Sequence, residues 1–153
     1  MTKKYLYFIL SIIILLLAGC DQKPKALSGV YYGDLTSERD KHFQILAFSL
    51  KHPDSVGFEE ILRGKNTSFG YIPTKKMARM FPVKYEGNKV ILTKGAGEDY
   101  SLIISQDRNT LSCAESPCRV FANKFEKDKE RDDKNSDTIY EKILANTNEL
   151  EYR

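Results

Sequence analysis

The chain has 153 residues, 41% of them hydrophobic, and carries 24 Lys and Arg against 21 Asp and Glu for a formal charge of +3. That length supports one domain with a single core, not two. So small an excess of positive charge leaves no basic face for neutralising phosphates, which argues against nucleic acid as a partner.

In chain order, residues Met1 to Gly19 have a basic start with Lys3 and Lys4, an apolar run from Tyr5 to Leu17 broken only by Ser11, and small residues Ala18 and Gly19 before Cys20. This three-part layout is that of a secretory signal. The apolar run is shorter than the roughly 20 residues that a membrane-crossing helix needs, and polar Asp21, Gln22 and Lys23 follow directly after Cys20. A spanning anchor is therefore not expected.

The junction Leu17-Ala18-Gly19-Cys20 resembles the lipobox of bacterial lipoproteins at all four positions. The resemblance covers the first 20 or so residues and carries three implications: a signal peptide over 1–19, a diacylglycerol group on the Cys20 thiol, and a fatty acid on the new amino terminus. One acyl chain binds a membrane only marginally, so anchoring takes two or more. Asp21-Gln22 resembles the signal that retains enterobacterial lipoproteins at the inner membrane. The expected location is thus the bacterial cell envelope, on the periplasmic face of the inner membrane, with the outer membrane as the alternative. Removal of Lys3 and Lys4 in a leader without acids lowers the charge of +3 by two, so the mature chain is close to neutral.

Residues 20–26 read as a lipidated tether and 27–125 as a β-rich domain. Val30 and Tyr32 alternate before Gly33-Asp34. His42 to Leu50 is rich in β-formers on both faces: Leu46, Phe48 and Leu50 fall on one, Phe43, Ile45 and Ala47 on the other. That pattern predicts a strand covered on both sides, or one that a bulge twists over. His52-Pro53-Asp54-Ser55 is expected to end it, since proline donates no ladder hydrogen bond and Asp-Ser favours a turn. Between Gly57 and Met80 the reading is open: Glu59 to Leu62 fits one helical turn, Phe69 and Tyr71 fit the start of a strand, and Lys75 to Phe81 reads as a solvated loop leading into one.

From Phe81 onward the alternation is plain. Phe81, Val83 and Tyr85 alternate, Glu86-Gly87-Asn88-Lys89 turns the chain, and Val90-Ile91-Leu92 returns it. Gly95-Ala96-Gly97 reads as a second hairpin turn, not a phosphate loop. Tyr100, Leu102 and Ile104 then alternate, and Gln106 to Asn109 turns into Leu111 and Cys113. Strands separated by turn clusters at this spacing predict a mainly β fold, an antiparallel meander forming a small barrel or sandwich.

Residues 126–153 read as a charged connector and a short C-terminal helix. Lys124 to Lys134 is nearly all charge and is expected to bury nothing. Asp137 is the expected N-cap of a helix in which Ile139, Tyr140, Ile143, Leu144 and Leu150 recur near helical spacing.

Of the three cysteines, the lipid consumes Cys20, which leaves Cys113 and Cys118 as a pair. In an oxidising envelope such a pair reads as a disulfide. A zinc site would need further ligands, and His42 and His52 lack that spacing; a thioredoxin-like pair has two intervening residues, not four. No nucleophile elbow, phosphate loop or metalloprotease helix is present in the sequence, and Glu59-Glu60 would point to opposite faces of a strand. The chain is therefore read as a non-enzyme that needs no cofactor and no metal. Two functions fit: a membrane-tethered binding or inhibitory module docking on an envelope protein, or a lipocalin-like carrier whose interior is lined by Phe48, Tyr85, Tyr100 and Leu102. The small disulfide-bearing domains of lipoprotein lysozyme inhibitors resemble this layout in architecture, without a shared motif.

Overall fold

The computed structural model describes residues 25–36, 41–62, 65–67, 70–72, 75–93, 99–115, 118, 121–130 and 133–151. The leader, the lipobox with Cys20, Asp21-Gln22, Phe69 and the Gly95-Ala96-Gly97 turn lie outside them.

The described chain runs through β1 (Gly29–Asp34), β2 (His42–Ser49), β3 (His52–Leu62), β4 (Lys65–Thr67), β5 (Gly70–Ile72), β6 (Lys75–Glu86), β7 (Lys89–Thr93), β8 (Asp99–Ile104), β9 (Thr110–Cys113), β10 (Lys124–Lys127) and helix α1 (Asp133–Glu151). Eight of these strands close an antiparallel barrel in the order β1-β10-β9-β8-β7-β6-β3-β2, and β4 pairs with β5 in a separate hairpin. Apart from that hairpin the barrel is an up-and-down meander, closed where β10 meets β1 with Tyr31 opposite Lys127. The expected meander is therefore a barrel and not a sandwich, and closure leaves it no free sheet edge.

Alternation decides the inside. Leu46 and Phe48 of β2, Val56 and Phe58 of β3, Phe81 and Val83 of β6, Val90 and Leu92 of β7, and Leu102 and Ile104 of β8 belong to one buried interior cluster, with Tyr85 and Tyr100 packed against it. The residues between them face outward. On β2 and β6 these include Ala47 and Ala78, which form a second cluster with Tyr140 and Ile143 of α1. β2 is thus covered on both faces, by the barrel core and by the helix. Gly87, with φ of 57°, takes the first central position of the two-residue β6–β7 turn, where a type II′ hairpin calls for glycine.

Five expectations are corrected. His52 to Ser55 does not end a strand but opens β3, and the turn falls at Leu50-Lys51. The β2–β3 register shifts at Phe48/Ser49, pairing Ser49 with His52 and Phe48 with Val56, so Pro53 sits in the bulge, where its missing donor is tolerated. Leu50, read as sharing a strand face with Leu46 and Phe48, is 57% exposed at this turn. Glu59 to Leu62 continues β3, and Lys75 to Phe81 is strand, not loop. The stretch Lys124 to Lys134, read as nearly all charge and burying nothing, contains β10, where Phe125 is fully buried; one inward ring between outward Lys124 and Glu126 suffices, because a strand buries alternate residues.

The helix also differs at its start. It begins at Asp133, so Asp137 lies inside it and is no cap. Ser49 Oγ donates to Asp137 Oδ1 at 2.6 Å, and Lys51 Nζ lies 3.2 Å from Oδ2. The hydrogen bonds from Ser49 and Lys51 hold the Asp137 carboxyl below its ordinary pKa. His52 stacks on Tyr140 at 4.9 Å, and Ser55 Oγ shares a 2.6 Å hydrogen bond with the Tyr140 hydroxyl.

Candidate functional site at the long-loop end of the barrel

An up-and-down barrel gathers alternate connections at opposite ends. One end carries two-residue turns at 50–51 and 87–88 and the turn at 105–109; the other carries the connections 35–41, 63–74, 94–98 and 114–123. Binding residues concentrate on long connections held by a rigid scaffold, which makes the second end the candidate.

The tight-turn end is stoppered by the chain itself. Arg108, with φ of 59°, donates through one guanidinium nitrogen to the carbonyls of Lys25 at 2.8 Å and Ala26 at 2.7 Å. Leu27 N donates to the Tyr85 hydroxyl at 3.0 Å, and the Tyr31 hydroxyl donates to the Arg108 carbonyl at 2.8 Å. Burial raises the Tyr85 pKa, so the phenol stays protonated across the neutral range.

The long-loop end is built differently. On β2 the inward positions run His42, Gln44, Leu46, Phe48, so the face begins polar and becomes apolar with depth. His42 Nε2 lies 2.7 Å from Glu60 Oε1, and Gln44 Nε2 donates to the same oxygen at 3.0 Å. Fully buried Gln44 also accepts from Ala122 N at 2.8 Å. The carboxylate is thus shared by an imidazole and an amide, while the amide oxygen pins the returning chain. Beside that anchor, the Phe121 ring enters the barrel in edge contact with Phe58, Phe81, Tyr100 and Phe125, at centroid distances between 4.8 and 6.3 Å.

Cys113 and Cys118 are joined in a disulfide, with Cα atoms 6.0 Å apart. The bridge lies in the same β9–β10 connection as Phe121. Cys113 N donates to the Asn123 carbonyl at 3.0 Å and Cys118 N to its side-chain oxygen at 3.1 Å. Bridge and Asn123 together hold the connection that delivers Phe121.

Of the residues singled out in the sequence, the fold brings Phe48, Tyr85, Tyr100 and Leu102 onto one interior, as the carrier reading requires. Glu59 and Glu60 do point apart: Glu59 faces outward, 3.8 Å from Lys76 Nζ, and Glu60 faces the barrel mouth. His42 and His52 are separated, one at the mouth and the other beneath α1 near Glu141. The His42–Gln44–Glu60 cluster was not foreseen. Its signal was the alternation of β2, in which two polar residues precede two apolar ones on a single face. Among the described residues no group of three or more His, Cys, Asp and Glu is gathered to hold a metal ion, and no helix is long and apolar enough to cross a membrane. Comparison with protein families, with curated proteins and with solved structures finds no match to the chain.

Proposed function

We propose that this protein is a cell-envelope lipoprotein, tethered through acyl chains on Cys20 to the periplasmic face of the inner membrane, that acts by binding an envelope protein and performs no chemical step of its own. The tether rests on the leader and on the resemblance of Leu17-Ala18-Gly19-Cys20 to a lipobox. The observation that supports binding by the surface is the Phe121 ring, which occupies the barrel interior against Phe58, Phe81 and Tyr100. An eight-stranded barrel is just wide enough for its own side chains to fill, so a partner meets the loops around the mouth.

A carrier of a lipid or other small apolar ligand is the second reading. It is favoured by the closed up-and-down barrel and by a mouth where polar His42 and Glu60 stand above an aromatic interior. Purification of the full-length lipidated protein in mild detergent separates the two. A binding module brings down an envelope protein at fixed ratio and no apolar ligand beyond its own acyl chains. Recovery of one non-covalent lipid per chain, lost on Phe121→Trp, would establish the carrier instead.

A further inference from the structure

Residues 25–27 are fastened across the tight-turn end by Arg108 and Tyr85. From Lys25 back to Cys20 an extended chain reaches roughly 17 Å at most. Strand β2, from Ser49 to His42, is roughly 23 Å long, and with the tilt of about 40° usual in a closed barrel it carries the opposite end roughly 18 Å further along the axis. An acyl group on Cys20 therefore keeps the tight-turn end of the barrel nearest the bilayer.

That end also carries an unburied apolar group. Leu50 is 57% exposed at the tip of the β2–β3 turn, beside exposed Lys51, whereas Leu62, at the long-loop end of β3, is 38% exposed. Leu50 takes no part in the barrel core, since the interior face of β2 ends at Phe48. Exposed Lys25, Lys51, Lys89 and Lys129 share the rim with exposed Glu86, Asp107 and Glu130. Charge on this rim is close to balance, so the short tether and the leucine, more than attraction to anionic headgroups, set the orientation.

We propose that the barrel stands on the phospholipid surface on its tight-turn end, with Leu50 among the headgroups and the long-loop end facing away. The inference rests on lipidation of Cys20 and adds to it the face that meets lipid. It also places the mouth, the disulfide-held β9–β10 connection and the β4–β5 hairpin where a partner in the aqueous compartment can reach them.

The test uses the full-length lipidated protein in vesicles of phosphatidylethanolamine and phosphatidylglycerol. An environment-sensitive fluorophore is attached to a single added cysteine, with Cys113 and Cys118 kept oxidised. Leu50→Cys and Asn88→Cys report the tight-turn end, and Lys41→Cys, exposed just before β2, reports the other. Nitroxide lipids labelled at the headgroup are expected to quench the first two several-fold more than the third. Equal quenching at all three sites means a barrel lying on its side, and stronger quenching at Lys41→Cys means an inverted one; either overturns the orientation while leaving the tether intact. Intact mass of the same preparation reads the tether separately: a chain without acyl mass on Cys20 that fails to float with vesicles defeats both. Acylated protein in which only Leu50→Cys is shielded, and only once an envelope protein is added, would assign Leu50 to a protein contact and overturn its place at the lipid.

Discussion

Gln44 is a polar side chain at the inner face of an apolar barrel, and its burial is matched by hydrogen bonds that include one to Glu60 and one from Ala122 N. Gln44→Leu keeps the bulk but strands the Ala122 N–H, so it is expected to destabilise the fold by about 2 kcal/mol, read as a lower urea midpoint with an unchanged slope. Gly33 stands across the ladder from Gln44. A methyl group there would lie 2.5 Å from the Ala122 Cβ and 2.7 Å from the Phe125 ring. Both are core atoms with little room to retreat, so Gly33→Ala should cost about 3 kcal/mol; a variant as stable as the parent in the same titration would mean that the β10 side of the interior yields. Neither effect was legible in the sequence, where Gly33-Asp34 read as the end of a strand. Only the return of the chain at Ala122, far along the sequence, gives these two residues their surroundings.

Among the elements, α1 is the one whose attachment can be tuned. Ile143 is 2% exposed against Ala47 and Ala78, and Ile143→Ala should weaken docking by about 3 kcal/mol, seen as faster amide exchange in α1 while the barrel amides stay protected. Acid should loosen the same contact. Because Ser49 and Lys51 lower the pKa of Asp137 in the folded state, its stabilising contribution is present above the unfolded carboxyl value and is lost as pH falls through the folded one. The loss therefore falls below about pH 4, and Asp137→Asn should abolish this part of the acid response of α1 exchange. The helix itself was legible, since Ile139, Tyr140, Ile143 and Leu144 carry its period, and so was the two-faced character of β2. The missed boundaries share a cause. Pro53 looked like a terminator because a bulge cannot be read without its partner strand, and Lys124 to Lys127 looked like a linker because one buried Phe125 in four residues gives no period. Asp137 resembled a cap, but its carboxylate serves a turn nearly 90 residues upstream, at a separation of 88 from Ser49.

For the whole molecule, the two barrel ends differ in how they are held. The tight-turn end is fixed by short connections and by Arg108, the long-loop end by the Cys113–Cys118 bridge and the Gln44 anchor. The bridge joins cysteines at a sequence separation of 5, and closing so short a loop constrains the unfolded chain by only about 2 kcal/mol. Replacing both cysteines by serine is thus expected to leave the far-ultraviolet spectrum of the barrel unchanged and to lower its stability by about that amount. Collapse of the β signal on reduction would show instead that the bridge holds the whole fold. The alternation from Phe81 to Leu111 made the meander readable in advance, whereas closure into a barrel depends on β10, the strand whose charges concealed it.

That closure has a bearing on timing. Because β1 completes its hydrogen bonding only with β10, the first strand to emerge from any N-to-C-terminal process must wait for the last. Until Lys127 has appeared, β1 and β9 both present open ladders, the kind of edge that invites pairing with a neighbouring chain. Contacts so distant in sequence form slowly. The interval before they form is when this chain is most exposed to proteases and most in need of a chaperone, and it ends in one step when the fourteen or so residues after Cys113 fold back with Phe121 and Phe125.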